Sequence, residues 1–164
     1  MPVDQFGDAY VGAVARPKDP SSKREWADLL PRLQQAADSG DPTARRRLAI
    51  ALYNLGRLDE AQAIYEDLLR AQDDAVIRNR LGNTLRDRGD LRGAEAAYRT
   101  AIATDPTLPA PYVNLAEILW RTHRDTAAAD LLRKGMGAVT PGATVGLERA
   151  LDYMSARAKT VVTG

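Results

Sequence analysis

Residues 75–108 read AVIRNRLGNTLRDRGDLRGAEAAYRTAIATDPTL, and this stretch decides the fold because its landmarks recur on both sides of it. Within it stand Leu81-Gly82, Leu85, Gly89, Ala94, Tyr98 and Ala101. One 33-residue step earlier, the same offsets give Leu48-Ala49, Leu52, Gly56, Ala61, Tyr65 and Leu68. One 34-residue step later they give Leu115-Ala116, Leu119, His123, Ala128, Leu132 and Gly135. A fixed period of this length marks tandem structural units. On each side of the Gly or His position the landmarks lie three or four residues apart, the period of an α-helix, so each unit is predicted to be a helical hairpin. Small residues on the first helix (Ala49, Gly82, Ala116) and on the second (Ala61, Ala94, Ala128) let two backbones approach closely. Tyr65 and Tyr98 fill the flanking space.

These residues resemble the tetratricopeptide repeat, whose signature has Leu-Gly or Leu-Ala on the first helix, a turn Gly, then Ala, an aromatic and a terminal Pro. The second unit matches best, through Leu81-Gly82, Gly89, Ala94, Tyr98 and Pro106. Three units are expected, over 42–74, 75–108 and 109–142. The chain departs from the signature at Asp73 in place of Pro, His123 in place of the turn Gly and Leu132 in place of the aromatic. The resemblance implies an all-α, right-handed α-solenoid whose first helices line a concave groove for a partner protein.

The flanks read as caps. Ser22 to Glu25 forms a capping box ahead of a stripe of Trp26, Leu29, Leu30, Leu33, Ala36 and Ala37, so an N-terminal helix is expected over 21–40. Pro31 is expected to kink it or split it in two. After the array, Val145, Leu147, Ala150, Leu151, Met154 and Ala158 predict a C-terminal helix over 143–159, followed by a tail over 160–164. Repeat stacks need their end faces covered, and these helices can do it. Residues 1–20, with three Pro and two Gly, read as a flexible leader.

Composition narrows the function. The 164 residues carry 23 Lys plus Arg against 22 Asp plus Glu, so the chain is no polycation built for nucleic acid or acidic lipid. Cys is absent and His occurs once, which removes thiol chemistry, disulfides, zinc-finger sites and most His-based triads. His123 sits in a turn with no second ligand or nucleophile. Carboxylate pairs such as Asp59-Glu60 and Glu66-Asp67 are sequence neighbours, which point apart on a helix. No enzyme, cofactor, metal, nucleic acid or membrane role is expected. With no apolar run near 18 residues and no secretory signal, the chain reads as cytoplasmic, and its Arg-over-Lys bias as bacterial.

Charge is sorted along the array. The first helices (43–54, 75–87, 109–121) hold seven Arg and two acids, whereas the second helices (58–71, 91–104, 124–137) hold six basic and seven acidic residues. The resemblance places Arg46, Arg47, Tyr53, Asn79, Arg80, Asn83, Arg86, Asn114, Glu117, Trp120 and Arg121 on the groove face, together with Thr43, Ile50, Asn54, Val76, Asp87, Ala110 and Val113. Asn is a poor interior helix former, so its recurrence there calls for a reason. Asn offers a donor and an acceptor for a peptide backbone, and Arg makes bidentate bonds to carboxylates. The opposing reading is a solvated face whose Arg residues pair with acids on neighbouring helices. Trp120 is expected either to anchor a ligand or to pack beneath the C-terminal helix. The carboxylate clamp of some relatives is met only in part, because Thr144 and Glu148 fall where it wants basic residues. The expected function is therefore an adaptor for an extended, acidic peptide. The alternatives are a secretion-type chaperone for a hydrophobic client, or a homo-oligomeric assembly subunit built on the Trp26 stripe or open helical ends.

Overall fold

The computed structural model describes residues 22–162, with side chains described through Arg157. The expected leader lies outside these residues, as does the very end of the tail. Among the described residues there are eight α-helices and no strand: α1 (Lys23–Asp38), α2 (Pro42–Asn54), α3 (Leu58–Ala71), α4 (Ala75–Asp87), α5 (Leu91–Thr104), α6 (Pro109–Arg121), α7 (Asp125–Ala138) and α8 (Val145–Val162). A short 3-10 turn, Pro141–Ala143, precedes α8. Each helix packs on the next, and α6 also touches both α4 and α8, which is the arrangement of an all-α solenoid.

Local chemistry starts these helices. Ser22 accepts from the Glu25 N–H, Asp41 from the Thr43 N–H, Asp74 from the Val76 and Ile77 N–H groups, and Asp90 from the Gly93 N–H. Each satisfies donors that the first turn leaves without an intrahelical acceptor. Pro42 and Pro109 open α2 and α6, where a missing N–H costs nothing. One expectation changes here: Pro31 does not divide the N-terminal helix, which runs unbroken from Lys23 to Asp38. Pro31 is exposed and gives up a single backbone donor, while Trp26 and Leu33, on either side of it, are both buried. The shared core keeps the two halves in one helix. Trp26 is 6% exposed and shares an apolar cluster with Leu33, Leu48, Ala49 and Leu52, while Leu29, Leu30, Ala36 and Ala37 of the same stripe are half-buried.

The turns repeat more strictly than the sequence does. After α2, the Gly56 N–H bonds the Tyr53 carbonyl and the Arg57 N–H bonds the Leu52 carbonyl. The same pair of bonds closes α4 around Gly89, α6 around His123 and α1 around Gly40. This is a Schellman turn, which requires a left-handed residue at its centre. The φ values are 89° at Gly40, 80° at Gly56, 88° at Gly89 and 59° at His123. His123 thus occupies a conformation that a β-carbon makes costly. His123→Gly is expected to stabilise the fold by about 1 kcal/mol, read as a rise in the urea midpoint at unchanged slope. A fall in the midpoint would show that the histidine ring makes a compensating contact.

Two apolar clusters form the interior. One gathers Trp26, Leu33, Leu48, Leu52, Tyr65 and Ile77; the other gathers Ala94, Tyr98, Tyr112, Leu115, Leu119, Leu132, Leu147 and Met154. Helix α4 serves both, since Ile77 and Leu81 face the first and Leu85 the second. Its Gly82 is required by a close approach: a β-carbon there would lie 2.7 Å from Tyr98 Cδ1. At the other end α8 closes the stack, with Leu147, Ala150 and Met154 buried against α6 and α7.

Candidate functional site

The residues singled out on the first helices occupy α2, α4 and α6, and the structure divides them into a closed half and an open half. The closed half lies between α4 and α6. The Tyr98 hydroxyl donates to Asn83 Oδ1 at 2.7 Å. Asn114 Nδ2 donates to the same Oδ1 at 3.0 Å and to Asn79 Oδ1 at 2.9 Å. The three asparagines are thereby bonded to one another, and they join two helices of successive hairpins. Asn79 is 8% exposed, and among the described residues no buried side-chain nitrogen or oxygen lacks a partner. Poor helix formers are tolerated here because their amides satisfy each other across the junction.

A charged cluster continues this seam. Arg86 Nε donates to Asp87 at 2.9 Å, and its Nη1 lies 3.5 Å from Glu117. Arg121 flanks the same carboxylate at 3.6 Å, and the Tyr53 hydroxyl donates to Asp87 from α2. Burial raises the Tyr53 and Tyr98 hydroxyls well above the ordinary phenol value; Asp87 pushes Tyr53 further up, and Arg86 works against the rise at both. Burial alone would lower Arg86, but Tyr98, Asp87 and Glu117 together raise it. Asp87 and Tyr98 therefore belong to the same cluster, although neither is among the candidate binding residues. Asp87 is a groove-face position in the sequence, and Tyr98 a core position there.

Glu117 is 6% exposed, and burial lifts its carboxyl above the usual carboxylate range against the opposing pull of Arg86 and Arg121. The folded state then holds the Glu117 proton to higher pH than the unfolded chain does. The stability it contributes is present in full below the ordinary carboxyl value and is lost as pH rises through the raised one. Glu117→Gln removes that slope. In urea titrations, the stability of the variant relative to wild type should improve between pH 4 and pH 8. A decline over the same interval would mean that the two guanidiniums dominate.

The open half lies between α2 and α4. Arg46 is exposed and pairs with Asp74 at 3.1 Å. Arg80 is exposed on α4 and reaches the Tyr65 hydroxyl, which burial pushes up to about 12 while Arg80 pulls it down. Arg47 is half-buried. Trp120 is half-buried and meets Tyr153 of α8 edge-on, with ring centroids 5.7 Å apart, so its ring takes part in the contact with the terminal helix. The remaining first-helix arginines are also paired: Arg45 with Asp67 of α3, and Arg78 with Asp73. Among the described residues no group of His, Cys, Asp and Glu is placed to hold a metal ion, and no helix is long and apolar enough to cross a membrane.

Comparison with known proteins meets the same repeats. A tetratricopeptide-repeat profile matches residues 24–79, and a second profile, described as a TPR repeat, matches residues 82–122. Cellulose synthase operon protein C of Pseudomonas fluorescens (strain SBW25) is 33% identical over 95 residues, which cover 52% of this chain and 7% of that protein. The chain thus spans a small fraction of that relative's length. The first profile begins inside α1, so the terminal helix is read together with the hairpin it covers. With landmark residues at a fixed step, repeated Schellman turns and two matching profiles, the chain belongs to the tetratricopeptide-repeat family.

Proposed function

We propose that this protein is a non-catalytic adaptor whose first-helix face holds an extended, acidic segment of a partner protein. Tetratricopeptide repeats are a protein-interaction module, and the observation that narrows the ligand here is the sorting of charge. Helices α2, α4 and α6 carry seven Arg and two acids, while α3, α5 and α7 carry five basic and seven acidic residues. Many of the seven arginines already have an acidic neighbour, yet exposed pairs such as Arg46 with Asp74 are individually worth little and can be shared with an arriving carboxylate. The cellulose synthase operon relative, with 7% of its length matched, does not bring an activity in cellulose synthesis with it.

The test leaves the asparagine seam intact, because removing Asn83 or Asn114 would loosen the α4–α6 junction itself. Wild type and Arg46→Glu/Arg80→Glu, both shown folded by circular dichroism, are used to capture partners from host lysate at low and high salt. A protein held by wild type, released by salt and lost in the variant supports the reading. A partner held equally by both and insensitive to salt overturns it, and points instead to hydrophobic cargo. A mass that rises with concentration and masks the face would favour self-assembly.

A further inference from the structure

Resting on the reading of the first-helix face as the ligand site, we infer that the ligand is anchored at the α2–α4 junction, where Val76, exposed between Arg46 and Arg80, takes an aliphatic side chain adjacent to a carboxylate. The α4–α6 junction acts as a rigid spacer beside it.

Three observations converge on this assignment. Val76 is 46% exposed, one of two large apolar side chains standing out from the described surface; the other, Val145, lies far along the chain at the start of α8. Val76 and Arg80 are one helical turn apart on α4 and therefore share a face. Arg46 is brought to the same place by Asp74, which accepts the Arg46 guanidinium on Oδ2 while its Oδ1 caps the Val76 and Ile77 N–H groups. Val76 thus shares the α4 face of Arg80, and Arg46 is held by Asp74 at the start of the same helix, both arginines being exposed.

The neighbouring junction has the opposite character. There Asn79, Asn83, Asn114 and Tyr98 bond one another, and Arg86 and Glu117 are paired across the helices. The repeat shows how the difference arises. Arg80 and Asn114 occupy equivalent positions one 34-residue step apart, and Ile50 and Asn83 are equivalent one 33-residue step apart. Where the second hairpin has Asn83 to bond Tyr98 and Asn114, the first has Ile50, so the equivalent amide network cannot form and a charged Arg80 stands there instead. Charge complementarity commits the occupant: an extended segment of a partner protein carrying an acidic residue next to an aliphatic one.

The experiment uses the full chain and fluorescein-labelled, end-capped peptides made of repeated Ser-Glu-Leu, Ser-Gln-Leu or Ser-Glu-Ser, followed by anisotropy at low and high salt. Ser-Glu-Leu is expected to bind wild type about tenfold more tightly than either control, the scale of one aliphatic side chain taken out of water against Ser-Glu-Ser and of one charge-assisted hydrogen bond against Ser-Gln-Leu. Val76→Ser should abolish the preference for Ser-Glu-Leu over Ser-Glu-Ser. Arg80→Gln should abolish the preference for Ser-Glu-Leu over Ser-Gln-Leu. Equal binding of Ser-Glu-Leu and Ser-Glu-Ser, or a Val76→Ser variant that still prefers Leu, overturns the anchor while leaving an acidic-ligand face standing. Failure of both Glu-containing peptides to bind in a salt-sensitive manner overturns the acidic-ligand reading itself.

Discussion

Tyr98→Ala is expected to cost about 3–5 kcal/mol, a large share of a marginal domain's stability. The ring is fully buried, and it is the large partner of Gly82 across the α4–α5 hairpin. Its hydroxyl is also the first donor in the chain of bonds through Asn83 to Asn114. A double-mutant cycle separates these contributions. Tyr98→Phe keeps the ring and loses one hydrogen bond, so it should cost only about 1 kcal/mol, because Asn83 Oδ1 still accepts from Asn114. Gly82→Ala in wild type drives a methyl group into the ring and should destabilise. In the Tyr98→Ala background the same methyl enters vacated space on a helix that favours Ala over Gly by roughly 1 kcal/mol, so the sign of its effect should reverse. Urea denaturation of the four proteins measures the coupling. Additive effects would show that Gly82 and Tyr98 do not constrain one another.

The pairing of small and large residues was legible in the sequence because it depends only on offsets within a unit, which the 33- and 34-residue steps display directly. The places of the turns were legible for a similar reason, since Gly56, Gly89 and His123 stand at one position of the repeat; their Schellman geometry and positive φ came with the structure. The use of the asparagines was not. Helical spacing puts Asn79 and Asn83 on one face of α4, yet whether that face meets solvent or the next first helix depends on the displacement between hairpins, which no offset encodes. Residues expected to wait for a ligand backbone are bonded to one another instead. Pro31 misled in the opposite direction. A rule about the local backbone predicts a kink or a split, and with Trp26 and Leu33 buried on both sides of Pro31 the helix is not split. Charge sorting survived better, since it belongs to whole helices, but the partners of individual arginines emerged only with the fold.

Ending the chain at Thr144, and so removing α8, is expected to destabilise the C-terminal half by on the order of 5 kcal/mol while sparing the N-terminal half. Leu147, Ala150 and Met154 leave the core, and the surfaces they covered on α6 and α7 become exposed with them; a buried Leu or Met alone is worth about 1.5–3 kcal/mol. Leu147 and the Tyr112 ring both sit against the bare backbone of Gly135. Trp120 loses its contact with Tyr153 at the same time. The consequence should be graded along the chain, because each repeat depends chiefly on its neighbours. The Trp26, Leu48 and Tyr65 cluster shares no helix with α8 and meets the second cluster through α4. Hydrogen exchange on the truncated protein should therefore show protection lost in α6 and α7, reduced in α4 and α5, and kept in α1, α2 and α3. Uniform loss of protection from α1 to α7 would mean that the asparagine seam couples the two clusters into one cooperative unit. The seam would then be the strongest link between the halves, and Asn114→Ala in the full-length chain should uncouple them in the same measurement.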